Sequence, residues 1–481
     1  MDPPRDGRLL PQLPRPGGGQ QPVHRRGLLA PAAARRPGRV RDHPGPGAGV
    51  SAQEIAVVGA GAAGLGAAKH LLARGHRVTV FELGSHVGGL WVYGNDSGRS
   101  PAYRSLHLNS EARVTGYRDF PIPAEAGLYP SHTAVRAYLE AYAEEFGLRE
   151  HIRFHSRVTA VEPVGSGFEV TVDGEQPVAF DRVVVANGHQ AEPLHPPFAA
   201  DFTGEYRHAF SYRSPEEFTD RDVLVVGAGN SGLDIAADVC AVTASTVLSA
   251  RSPVLVMPRM MFGVPFSRVL AKVEKPWMTW PMRRRLREQL TRAVHGRMED
   301  AGFVTPTEEA HPSSHPTLFS HISWGRVAVK PGVTGVSGRE VHFADGTSAE
   351  FDVLVAATGY TVDLPFLAPE LRPVTPDQVR LHRRIVHPDH PGLAFVGLFD
   401  VNGGGNIRMM DWQCRWLAAL VDGEIDLPGR DAMHAELAAE HHAGAARPDT
   451  MRAALDLPPK DYQLQLRAEV AAAAERRGVG V

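Results

Sequence analysis

Gly59, Gly61 and Gly64 stand in a G-x-G-x-x-G spacing directly after the apolar run EIAVV. A strand that ends in such a turn and feeds a helix lets backbone amides and the helix N-terminus approach a pyrophosphate without a Cβ in the way. The next apolar run, HRVTVFE, closes on Glu82, whose carboxylate can accept from a ribose 2'-hydroxyl and so suits an unphosphorylated dinucleotide such as FAD. Gly227, Gly229 and Gly232 repeat the spacing after DVLVV, with Ser231 inside the turn, but there the second run ends in Ser249-Ala250-Arg251. A guanidinium at that place can pair with a 2'-phosphate, so the second site is expected to take NADPH rather than NADH. The chemistry these residues serve is the binding of two redox dinucleotides.

Between the two glycine motifs, Phe202, Gly204, His208 and Tyr212 occupy the fixed positions of F-x-G-x-x-x-H-x-x-x-[YF], which resembles the fingerprint of the flavin-containing monooxygenase family. The segment from Tyr103 to Asn109 with Asp119-Phe120-Pro121, then Ala357-Thr358-Gly359-Tyr360, and Gln413-x-Arg415-Trp416 are similar to further landmarks of that family. The resemblance spans residues 53 to about 423. It implies an α/β fold of two Rossmann-like dinucleotide-binding domains, the NADPH domain inserted in the FAD domain. The implied activity is NADPH- and O2-dependent oxygenation of a soft nucleophile, an amine nitrogen or a sulfide sulfur, through a C4a-hydroperoxyflavin.

Residue by residue, the resemblance implies a catalytic role for Asn109, a neutral amide that can donate and accept at the flavin edge without bringing a titratable proton. It implies cofactor positioning by His208, NADP contacts from Ser211, Tyr212 and Ser231, and a flavin-side lining that includes Gly89, Trp91 and Gln413. Baeyer-Villiger relatives usually extend the fingerprint with Trp and Asp, whereas this one ends at Tyr212. Ketone oxygenation and a non-catalytic FAD- and NADPH-binding sensor are the alternatives. A disulfide reductase would need a redox-active cysteine pair, and Cys240 and Cys414 form no CxxC.

The elements that must hold these residues follow from apolar periodicity. With 481 residues, 43% of them hydrophobic and 22% charged, the chain can build more than one core. Residues 1–50, rich in Pro, Gly, Arg and Ala, are expected to be a disordered tail, and a mispredicted start is preferred over a transit peptide. A FAD domain is expected over 51–200 and 325–481, and an NADPH domain over 201–324. A helix is expected over 133–146, and RVTAVEPV and GFEVTV alternate as antiparallel strands. Residues 254–320 turn to Met, Trp, Pro and Arg, with a basic helix over 280–297 read as a lid or domain-packing element.

A net charge of -3 offers no basic field for nucleic acid. The cysteine usage suits a reducing compartment, and no apolar run approaches the roughly 18 residues of a transmembrane span, so a cytoplasmic location is expected. His311, His315 and His321 have no acidic or cysteine partner nearby in sequence, and no metal is expected. The expected partners are a small-molecule substrate and O2, and a homodimer is compatible with the sequence.

Overall fold

The structure, a computed structural model, describes residues 51–308, 313–375, 378–401, 405–444 and 450–477; the expected disordered tail and His311 lie outside them. Short runs of β-branched residues buried on both faces, such as Glu54–Val58 and Asp222–Val226, suit parallel sheets covered by crossover helices. Two such sheets form. The first runs Leu393–Phe395, Arg182–Val185, Glu54–Val58, Arg77–Phe81, Ile152–Arg153, every neighbour parallel. The second runs Ala328–Pro331, Ser245–Ala250, Asp222–Val226, Val353–Ala356, Glu205–His208, again all parallel. In both, the strand leading into the glycine turn is central. The strand order therefore runs to opposite sides of that strand, which opens a crevice beyond its C-terminal end.

The second sheet is built between Arg182–Val185 and Leu393–Phe395 of the first, so one domain is inserted in the other. Its boundary differs from the expected one at residue 325. Ala328–Pro331 and Val353–Ala356, expected in the resumed first domain, complete the second sheet, where Val353 pairs with Val223 and Val247 with Ala328. A buried parallel strand has the same apolar signature whichever sheet it joins.

Local expectations fare better. The helix His132–Glu145 starts at Ser131, whose side chain accepts from the Ala134 amide, and it buries Val135, Tyr138, Leu139 and Tyr142 on one face. Val158–Val164 and Gly167–Val172 pair antiparallel. The basic helix is Trp280–His295, with Thr291 its one buried residue.

Behind the first glycine turn, the helix Ala62–Leu72 lies against Asn406–Val421. A Cβ on Gly66 would sit 3.1 Å from Cys414 Sγ, so the two helices cross at glycine distance. Asp411, wholly buried, locks that crossing. It meets His70 Nε2 at 2.8 Å and accepts from Arg415 Nε at 3.1 Å and the Arg118 amide at 3.2 Å.

Candidate dinucleotide and active site

The two glycine turns are built alike. Gly59 has φ +102 and Gly227 φ +114, a backbone that side chains disfavour. A Cβ on Gly59 would lie 2.7 Å from the Ala186 carbonyl, and one on Gly227 2.5 Å from that of Ala357. Gly64 and Gly232 leave even less room, since their Cβ atoms would fall 1.8 Å from the carbonyls of Gly59 and Gly227. Gly61 and Gly229 are the N-caps of Ala62–Leu72 and Asn230–Val239, and neither helix has a side-chain cap. First-turn amides are thus left for an anion. Both cradles fit a dinucleotide pyrophosphate, because the turns present uncapped helix amides and a Cβ at Gly59, Gly64, Gly227 or Gly232 would clash with the backbone that shapes them.

Around the first cradle the structure brings together Gly59, Gly61, Gly64, Glu82, Gly89 and Trp91. The Gly88 amide donates to the Ala60 carbonyl at 3.0 Å, and a Cβ on Gly89, φ +56, would approach Gly61 Cα to 3.2 Å. Trp91 is half-buried against the first core. Glu82 is buried and accepts from the Ala60 amide at 2.7 Å and the Gly84 amide at 2.8 Å. Burial pushes its carboxyl above the usual range, against those two amides. Each oxygen keeps a second lone pair for a sugar hydroxyl.

Around the second cradle, Ser231 stands half-buried in the first helical turn. Arg251 follows Ser245–Ala250, the strand whose Ser249 carbonyl accepts from the Gly227 amide at 2.9 Å. Its side chain is exposed, with the aliphatic stem so close to Gly332 that a Cβ there would meet Arg251 Cγ at 2.9 Å. Ser313 and Ser314 cover the turn, through Ser313 Oγ donating to the Ala228 carbonyl and Asn230 Oδ1 accepting from the Ser314 amide, both at 3.1 Å. The 254–320 stretch carried no motif that pointed to this role.

Two residues expected at the cofactors are engaged within the protein. Tyr212 is wholly buried in the second core, its hydroxyl 2.5 Å from Asp238 Oδ2, so it anchors the fingerprint segment. Gln413, also wholly buried, accepts from the Gly397 amide at 2.9 Å and donates to Tyr462 Oη at 2.8 Å and the Arg384 carbonyl at 3.3 Å. Its amide is engaged by the protein and braces the Gly397 turn. Aromatic and amide residues at motif positions serve packing as well as ligands, and spacing alone does not separate the two.

His208 accepts at Nδ1 from the Phe210 amide at 3.0 Å and so caps the turn Ala209–Ser211. Burial, with His195 beside it, lowers its pKa to about 4. Ser211 is exposed and donates to the His208 carbonyl at 2.9 Å. His315 accepts at Nδ1 from the amides of Thr317 and Leu318, and burial lowers its pKa to about 3. No cluster of metal-ligating side chains occurs among the described residues.

Asn109 is exposed, and its Oδ1 accepts from Arg259 Nη2 at 2.7 Å. The segment before it docks on the helix Asn230–Val239 of the second domain, where Tyr103 donates to Asp234 at 2.6 Å and Ser105 to Asp238 at 2.7 Å. Asn109 thus stands where the first domain meets the second. Arg259 carried no motif; a lone arginine in a stretch without periodicity gives no signal.

The sequence matches the FMO-like family, described as flavin-binding monooxygenase-like, over residues 52–455. It is 32% identical to flavin-containing monooxygenase 1 of Canis lupus familiaris over 413 residues, covering 80% of this chain and 77% of that one. It is 30% identical to dimethylaniline monooxygenase [N-oxide-forming] 2 of Rattus norvegicus, covering 80% and 76%. Among solved structures, S-allyl-L-cysteine S-oxygenase from Allium sativum superposes with a TM-score of 0.67 at 25% identity, covering 88% of this chain and 89% of that one. OTEMO in complex with FAD and NADP shares the fold, with a TM-score of 0.66 at 17% identity over 89% and 98%. With a family match over most of its length and both dinucleotide cradles in place, the chain belongs to the flavin-binding monooxygenase-like family and is an NADPH-dependent flavin-containing monooxygenase with FAD and NADPH as cofactors.

Proposed function

We propose that the protein oxygenates a soft nucleophile, an amine nitrogen or a sulfide sulfur, with Asn109 as its active-site amide. The balanced reaction consumes one NADPH, one proton and one O2, and yields oxygenated product, NADP+ and water. FAD, when bound, supplies the two-electron chemistry that links NADPH to O2. The chain's own residues bind and orient. Gly59, Gly61, Gly64 and Glu82 hold the flavin dinucleotide, Gly227, Gly229, Ser231, Gly232 and Arg251 hold NADPH, and His208 and Ser211 shape the turn between the domains.

The observation that carries this reading is the company Asn109 keeps. Among the described residues its side-chain hydrogen-bond partner is a guanidinium, which does not release its proton at working pH. An amide held by an arginine can donate and accept at the reacting centre without itself supplying a titratable proton that would divert an activated oxygen to H2O2. A soft nucleophile needs no acid or base to accept oxygen, whereas attack on a carbonyl requires steps that follow addition. The N-oxide-forming and S-oxygenase relatives support the same reading.

The test is product analysis with a tertiary amine, methyl phenyl sulfide and a cyclic ketone. N-oxide or sulfoxide is expected; lactone without either would replace this reading with ketone oxygenation. We further propose a cytoplasmic location, supported by two free, buried cysteines and by the absence, among the described residues, of a helix long and apolar enough to cross a membrane.

A further inference from the structure

Arg259 immediately precedes the hairpin of Met260–Met261 and Val264–Pro265, outside every motif. Its side chain is 9% exposed. Nη2 donates to Asn109 Oδ1 at 2.7 Å and lies 3.8 Å from Asp234 Oδ1. The Tyr129 ring faces the guanidinium at 5.5 Å, and the Tyr129 hydroxyl donates to the Arg259 carbonyl at 3.0 Å. Asp234 is in turn held by the Tyr103 hydroxyl at 2.6 Å. A second clasp lies nearby in sequence: Ser267 Oγ and Arg268 Nε each donate at 2.6 Å to the buried carboxylate of Glu111.

A guanidinium has donors and no acceptor, so an amide beside it must offer oxygen; its Nδ2 then points away with two protons to give. The opposite flip would set N–H against N–H. We infer that Arg259 is a positioning residue that fixes the Asn109 amide with Nδ2 as the donor toward the reacting centre. The inference rests on the reading of Asn109 as the active-site amide. Because Arg259 belongs to the second domain and Asn109 to the first, the orientation of that amide depends on the two domains being docked. Asp234, itself held by Tyr103, and the Tyr129 ring flank the arginine, and Glu111 holds the loop.

An anchored amide keeps one orientation nearly all the time, and an unanchored one shares its time between two flips. Loss of Arg259 therefore lowers the productive fraction to about half or less.

The test measures sulfoxide formed per NADPH consumed in the FAD-loaded protein with methyl phenyl sulfide. Asn109→Ala should uncouple most. Asn109→Asp should uncouple too, since it keeps an acceptor for Arg259 but loses the donor. Arg259→Met should lower coupling at least about twofold with the NADPH KM and the anaerobic flavin-reduction rate unchanged, and Arg259→Lys should restore part of it. Adding Arg259→Met to Asn109→Ala should cost nothing more. If Arg259→Met fails to fold because Asp234 loses its countercharge, Arg259→Met with Asp234→Asn takes its place. Full coupling in Asn109→Ala would overturn the reading of Asn109. Uncoupling in Asn109→Ala alongside full coupling in Arg259→Met and Asn109→Asp would overturn the role of Arg259 alone.

Discussion

Replacing Arg251 with alanine removes a side chain that makes no hydrogen bond or ion pair with another described residue, so the folded protein should lose almost nothing. Its stem rests on Gly332 and its head is exposed; surface substitutions of this kind usually shift stability by less than about 0.5 kcal/mol. The effect should fall on cofactor choice. A charge-assisted hydrogen bond contributes about 1.5–3 kcal/mol, or roughly ten- to a hundredfold in binding. Exposure and salt screening place this one near the lower end. Steady-state oxidation of NADPH and NADH, measured side by side, should show kcat/KM for NADPH falling about tenfold while that for NADH holds. The NADPH effect should shrink as ionic strength rises. Gly332→Ala provides an independent check, because its Cβ would displace the Arg251 stem and should shift the same ratio in the same direction, by less. An equal change in both coenzymes, or none in either, would refute the placement of Arg251 at the 2'-phosphate.

Other outcomes follow from the same geometry. Gly64→Ala places a Cβ against the Gly59 carbonyl, and the protein should purify without flavin, as its absorbance spectrum would show. Gly227→Ala strains only the second cradle, at φ +114, so flavin should stay bound while NADPH no longer reduces it; loss of flavin in that variant would contradict two separate cradles. Asp411→Ala breaks a buried ionic cluster and should cost about 3–5 kcal/mol, read by denaturant unfolding; a loss below about 1 kcal/mol would mean that the cluster does not hold the helix crossing. Burial lowers His70, His208, His295 and His387 to about 4 and His315 to about 3. The unfolded chain binds those protons first, near 6.5, so the stability these groups contribute is present above pH 6.5 and lost as pH falls towards 4. The melting temperature should therefore fall steeply across that window, and a flat profile from pH 7 to 4.5 would contradict it.

The glycine turns were legible because their reason is steric: a positive φ and a closed approach admit one residue type at a fixed spacing, and the strand before and helix after can be read from periodicity. Arg251 was legible as the ending of a strand. The insertion itself was legible, but its end was not, because Val353–Ala356 looks like any buried parallel strand and pairs with a partner some 130 residues away in sequence. Tyr212 and Gln413 matched a pattern that carries both packing and ligand contacts, and the burial of both side chains was not legible in its spacing. Arg259 and Asp234 were invisible for the opposite reason. Their meaning arises from a contact between residues 109 and 259, and nothing local marks either end of it.

The account stands most directly on where the transferred oxygen comes from. The purified protein, supplied with NADPH, methyl phenyl sulfide and 18O-labelled O2, should form sulfoxide carrying one labelled atom, with one NADPH consumed per product. Unlabelled sulfoxide, or NADPH oxidised to NADP+ with all of its electrons recovered as H2O2 from O2, with the sulfide and with tertiary amines alike, would contradict it.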